Sequence, residues 1–253
     1  MSSLPPSDCC ATGFKHNGSP EGRTVKLAGK WDAYIATPAP GQQRNDTALL
    51  YLPDVLGIWI NSKLMADEFA RNGYLCVIPD LFYGDAIKIN DFEKTDVKKW
   101  IEQGTDGSQP HTPDTINPIV SDAIQSLKKE YSAKKIGVLG YCFGAKFAVG
   151  HFNNDIDACF LAHPSFVSDE ELAAIKGPLS IAAADTDPIF PDELRHKSEN
   201  ILRGTGQPWQ ICLYSGVAHG FAVRGDLSKK AERFAKTQAF QQAVVWFNEH
   251  LGQ

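Results

Sequence analysis

The stretch Gly140-Tyr141-Cys142-Phe143-Gly144 constrains this chain more than any other. The apolar run at 135–139 before it reads as a short buried strand, and Ala145-Lys146-Phe147-Ala148-Val149 after it has helix composition. A cysteine between glycines at a strand-to-helix junction is the pattern of a nucleophile elbow, G-x-S-x-G, with a thiol in place of the hydroxyl. The glycines have a steric reason: a side chain at the tip of a strained turn needs neighbours without a Cβ where strand and helix come closest. Free cysteine is also among the most buried residue types, so a structural core thiol is the competing reading. The organisation of the rest of the chain separates the two.

Residues 48–52 and 74–78 are continuous apolar runs of strand length. Between them Leu64, Met65, Ala66, Phe69 and Ala70 recur at helical spacing, with Gly73 as the stop. This β-α-β alternation predicts parallel strands joined by right-handed crossovers. Further buried strands are expected at 158–162, 179–183 and 209–214, and an antiparallel hairpin at 23–27 and 31–37 on a sheet edge. Residues 38–46 read as a loop. Helices are expected from Thr112-Pro113 to about Tyr131, at 169–175, at 192–202 and at 229–250. With no linker or composition break, 1–253 reads as one α/β domain: a mostly parallel sheet of about eight strands with helices on both faces. Residues 81–112 interrupt the rhythm, with a short helix near 97–103. The excursion can act as a lid that brings Phe82, Tyr83 and Trp100 near a substrate, or those aromatics can simply pack it down.

A net charge of −5 with no basic cluster argues against nucleic acid or an anionic membrane as partner, which leaves a small molecule as the default. No secretory signal or membrane-length apolar run is evident, so a cytoplasmic location is expected. Six cysteines are spread over the chain, Cys76, Cys159 and Cys212 within apolar strands, and they read as reduced thiols. Cys9, Cys10 and His16 lie close together but lack the two-plus-two spacing of a structural zinc site, so neither metal nor cofactor is expected. Monomer and homodimer both remain open.

If Cys142 is a nucleophile, the fold should supply an acid after a later strand and a histidine after the last one. Asp187 follows the strand at 179–183, and His219 follows the strand at 209–214, both at the sheet edge that carries the elbow. A thiol with a pKa of about 8.5 needs an imidazole to take or share its proton, and a carboxylate behind the ring fixes its tautomer. Asp187 is preferred because Pro188 holds its backbone extended, with Asp185 as the fallback. His163, after another strand end, reads as a packing residue. The backbone N–H groups of Phe143 and Val55 are the expected oxyanion donors.

With these residues in this order, the chain resembles the dienelactone hydrolase family of α/β-hydrolases. The resemblance covers nearly all of it and rests on residues 140–144, on Asp-Pro-Ile-Phe-Pro at 187–191 and on His-Gly-Phe-Ala-Val-Arg at 219–224. Lesser matches are Asp54-Val55-Leu56-Gly57 and Pro79-Asp80-Leu81-Phe82, and Cys9, Cys10, Gly13, His16 and Gly18 are similar to the fungal pattern. The resemblance implies hydrolysis of a lactone or small ester through a cysteine acyl-enzyme, in fungal breakdown of aromatic compounds or secondary metabolism. Bacterial members carry an activating glutamate where this chain has Asp54, and clamp the substrate carboxylate with two arginines. Here Tyr83 or Gly84 stands at the first arginine place, and Arg224 lies one residue beyond the second. Two other readings stay open: a ligand-binding protein without turnover, prompted by the lost arginine, and a redox-responsive thiol protein, for which no resolving cysteine lies next to Cys142 in sequence.

Overall fold

The computed structural model describes residues 1–44, 46–91, 95–152 and 155–252. Asn45 in the 38–46 loop, residues 92–94 of the 81–112 excursion and Gln253 lie outside them. Eight strands form one sheet in the order β1-β2-β4-β3-β5-β6-β7-β8. β1 (Arg23–Leu27) and β2 (Trp31–Ala36) make the expected edge hairpin, turning through Ala28 and Gly29 at positive φ. β2 runs antiparallel to β4 (Leu75–Pro79). From β4 onward β3 (Thr47–Leu52), β5 (Lys135–Tyr141), β6 (Ala158–Ala162), β7 (Leu179–Thr186) and β8 (Trp209–Ala218) are all parallel.

The apolar runs are continuous because both sheet faces are covered. On one face Leu50, Leu52 and Val138 meet α3 (Pro113–Lys129) and α4 (Gly144–Gly150). On the other, Leu49 and Tyr51 meet Phe69 of α1 (Ile60–Arg71) and Phe247 of α8 (Lys230–His250). α3 starts where Thr112 is extended and Pro113 presets the first helical φ, and it buries Ile116, Ile119, Val120, Ala123, Ile124 and Leu127 at helical spacing. α2 (Val97–Gln103), α5 (Asp169–Ala173), α6 (Asp192–Thr205) and α7 (Phe221–Arg224) complete the helices. No helix among the described residues is long and apolar enough to cross a membrane.

Two strands run further than the sequence suggests. Asp185, Ser215 and Gly216 are turn-type residues and read as loop. The structure instead continues β7 and β8 through a register shift between Ala184 and Thr186, so that the last pair is Thr186 opposite Ala218. The bond from Thr186 Oγ1 to the Val217 carbonyl, at 3.0 Å, fastens this extension. Its consequence is positional: Asp187 and His219 leave the sheet side by side.

Candidate active site

β5 pairs with β6 as far as Tyr141 opposite Ala162, so Cys142 is the first residue past the sheet. Its φ is 49°, in the left-handed region that costs a non-glycine residue about 1–3 kcal/mol. Three backbone bonds hold it there: Cys142 N–H donates to the Ala162 carbonyl at 3.2 Å, and the Cys142 carbonyl accepts from Ala145 and Ser165 at 3.0 and 3.1 Å. A Cβ at Gly140 would fall 2.8 Å from Ala145 Cα, and one at Gly144 would fall 2.1 Å from the Leu52 carbonyl oxygen. The two glycines therefore let α4 cross its own strand and let the loop after β3 reach the elbow.

Asp187 and His219 are both buried. Nδ1 of His219 lies 3.0 and 2.9 Å from the two Asp187 carboxylate oxygens, and Oδ1 also accepts from Ile189 and Phe190 N–H at 2.8 and 3.2 Å. Asp187 is thus fixed by its own turn, while Asp185 stays at the surface and accepts from Gly216 N–H at 3.4 Å. His163 packs edge-on against His219, ring centroids 5.0 Å apart. Neither His163 nitrogen has a hydrogen-bond partner among the described residues, and burial holds the ring well below the usual histidine range, hence neutral.

Sequence reasoning missed the residues that close the site. The chain start folds over the elbow: Cys10 Sγ lies 3.5 Å from His219 Nε2, and Cys142 Sγ lies 3.7 Å from Ser165 Oγ. The signal was present as adjacent cysteines, but the partner of Cys10 is His219. His16 instead sits 2.8 Å from the Gly225 carbonyl through Nε2. Folding also supplies what the linear sequence lacks, a thiol beside Cys142. Burial opposes a charged Cys142, yet the Cys10 hydrogen bond and the His219 charge outweigh it and hold the thiol well below its usual range. Burial likewise opposes a charged His219, and the Cys142 thiolate and Asp187 outweigh it and push the imidazole up to about 10. The site therefore favours a thiolate-imidazolium pair. Cys10, by contrast, is pushed well up, first by burial and then by its bonds to Cys142 and Cys9, so it stays a thiol donor.

Asp54 and Arg224, 170 residues apart in sequence, form a buried ion pair between Oδ2 and a terminal guanidinium nitrogen. Leu56 N–H donates to the other Asp54 oxygen at 3.1 Å. Arg224 also donates to the carbonyls of Thr12 at 3.0 Å and Cys9 at 3.1 Å, so its charge is spent inside the protein. Burial, only partly offset by Arg224, pushes Asp54 up to about 6. Leu52 is opposite Gly140 in the β3–β5 register, which sets the loop with Val55 beside the elbow. Among the described residues neither Val55 N–H nor Phe143 N–H donates to a protein acceptor.

Phe82 and Trp100 are buried beneath the 81–112 excursion, centroids 5.0 Å apart and 5.4 and 6.1 Å from Phe143, the residue after Cys142. Trp100 Nε1 donates to the Asp85 carbonyl at 2.8 Å, which fits the packing role. Tyr83 turns outward: it is 40% exposed, its hydroxyl donates to the Thr115 carbonyl at 3.1 Å, and its ring meets Trp31. Cys142 itself is fully covered. A cavity of about 470 Å³ opens at His219, lined also by Cys9, Thr12, Phe14, Phe221 and Arg224 among others.

A mostly parallel sheet with a left-handed residue at one strand-to-helix turn, and a carboxylate-histidine pair leaving two later strands beside it, defines the α/β-hydrolase class. A profile of the Dienelactone hydrolase family matches residues 31–251, and the chain belongs to that family. It is 45% identical to Hydrolase tropI of Talaromyces stipitatus, with 99% of each chain covered. It is 43% identical to Hydrolase pyvD of Aspergillus violaceofuscus, again over 99% of each. The crystal structure of dienelactone hydrolase from Anabaena variabilis superposes with a TM-score of 0.61 at 14% identity, covering 94% of this chain and all of that one, and shares the fold.

Proposed function

We propose that this hydrolase opens a small lactone or cleaves a small ester through a Cys142 acyl-enzyme, with His219 and Asp187 completing the triad. The observation that carries the reading is the thiol at positive φ on the same sheet edge as the buried His219–Asp187 pair, with its charged form favoured. The Cys142 thiolate attacks the carbonyl carbon, and the oxyanion that forms is taken up by Phe143 and Val55 N–H. The His219 imidazolium then gives its Nε2 proton to the leaving oxygen as the C–O bond breaks. In the second half the neutral ring takes a proton from water, whose oxygen attacks the thioester, and collapse of that intermediate releases the acid and restores the thiolate. Asp187 holds the tautomer throughout. Because Arg224 is engaged by Asp54 and two carbonyls, an uncharged acyl group suits the site better than a carboxylate-bearing lactone. The test is turnover of a panel of enol-lactones and activated esters by the protein and by Cys142→Ala. Loss of turnover in the variant supports the mechanism, and equal turnover by both removes it.

A further inference from the structure

The site contains more soft donors than a cysteine hydrolase uses. Cys9 Sγ, Cys10 Sγ and a His219 ring nitrogen all lie within 4.8 Å of one another. Cys142 is near enough for the Cys10 thiol and the His219 charge to favour its thiolate. We propose that Cys9, Cys10 and His219 bind one thiophilic metal ion of the Zn²⁺ or Cd²⁺ kind, and that the occupied site is hydrolytically silent.

The geometry is close to what such an ion needs. With Zn–S near 2.3 Å and Zn–N near 2.0–2.1 Å, a tetrahedral centre separates sulfur from nitrogen by about 3.5 Å and sulfur from sulfur by about 3.8 Å. The Cys10 Sγ to His219 Nε2 separation is already 3.5 Å. Cys9 has to close by no more than about 1.3 Å, and it is half-buried in the short helical turn Asp8–Cys10 at the chain start. Two sulfurs and one imidazole suit a thiophilic ion and exclude hard ions such as Mg²⁺ and Ca²⁺. His219 is oriented as a ligand should be, because Asp187 receives its Nδ1 side at 2.9 Å and leaves Nε2 facing the thiols. Cys9 and His219 line the same open cavity, which gives the ion a way in. Cys9 and Cys10 also lie outside the span matched by the family profile.

Binding needs two thiolates and a neutral ring, so the two thiol protons and the Nε2 proton of the His219 imidazolium leave to solvent, and no oxidation state changes. The ion takes the Nε2 lone pair on which the proposed hydrolysis depends, and only this silencing rests on that reading. The test uses the full chain, reduced and stripped with a chelator, then titrated with Cd²⁺ and followed by thiolate-to-cadmium charge-transfer absorbance and by equilibrium dialysis. One Cd²⁺ per chain with a charge-transfer band is expected, and Cys9→Ser/Cys10→Ser loses both while the other four cysteines stay in place. Asp187→Asn weakens binding by about 10–100-fold, as loss of a ligand's hydrogen-bonded support does. No band in the wild type, or the same band and affinity in the double variant, overturns the proposal. If the double variant melts early, Cys9→Ser alone decides, at a half-buried position, and unchanged affinity there overturns it as well. Hydrolysis should fall in step with occupancy and return with chelator. Absence of hydrolysis in the metal-free protein would count against the proposed function and leave the binding titration intact.

Discussion

Cys10→Ala is the most direct probe of how this site makes a thiolate. Burial opposes the Cys142 charge and is offset first by the Cys10 thiol acting as a donor and only then by His219. A hydrogen bond to a charged group contributes about 1.5–3 kcal/mol, and one pKa unit corresponds to about 1.36 kcal/mol, so losing the donor raises the Cys142 pKa by about 1–2 units. The measurement is the pH dependence of Cys142 alkylation by iodoacetamide in reduced, metal-free protein, read by mass spectrometry of the Cys142 peptide. Removing the Cys10 sulfur also opens access to a fully covered thiol, but access changes the plateau rate and leaves the inflection in place. The inflection should move up by about 1–2 units in Cys10→Ala and by less in Cys10→Ser, which keeps a donor. An inflection that stays put or moves down, in a variant that melts like the wild type, refutes the reasoning.

Arg224→Met leaves Asp54 buried without its cation, and urea denaturation at neutral pH should show a loss of about 3–5 kcal/mol, much of it recovered by adding Asp54→Asn. The pH dependence of stability follows from two opposite shifts. His219, pushed up to about 10, adds stability that is whole below its unfolded value near 6.5 and is lost as pH rises through 10. Cys142, held low, adds stability that is whole above about 8.5 and is lost as pH falls through its depressed value. Their sum is level between about 6.5 and 8.5 and declines on both sides. Melting temperatures of wild type minus Cys142→Ser should trace that plateau across pH, and a difference that changes in one direction throughout contradicts the pairing.

Much of this was legible in the chain because local chemistry and global topology agree. The apolar runs in β3, β4, β5, β6 and β7 mark strands covered on both faces, and Gly140 and Gly144 mark the elbow through a steric demand that the structure meets at 2.8 and 2.1 Å. The extension of β7 and β8 was not legible, because Asp185, Ser215 and Gly216 prefer turns and only the partner strand overrides them. Nor was the place of Cys9 and Cys10. Bonds such as Phe14 N–H to the Arg224 carbonyl and Asn61 Nδ2 to the Phe14 carbonyl lay the chain start across the site, and each joins residues remote in sequence. The sequence pairs Cys10 with His16 by proximity, whereas the fold pairs it with His219.

The same long-range bonds explain why an aspartate stands where bacterial relatives carry glutamate. An aspartate can accept from the backbone two residues on, and Asp54 does so with Leu56 N–H while its other oxygen meets Arg224. That turn brackets Val55, so the carboxylate shapes the loop whose Val55 N–H the proposed mechanism uses. Arg224 in turn reaches the Thr12 and Cys9 carbonyls, and its charge favours the Cys142 thiolate across the site. One buried ion pair thus shapes the loop after β3, favours the Cys142 thiolate and fastens the segment that carries Cys9 and Cys10. Arg224 therefore acts on the thiol through its charge while its hydrogen bonds stay within the protein, so under the proposed function selectivity for the acyl group falls to the other residues that line the cavity.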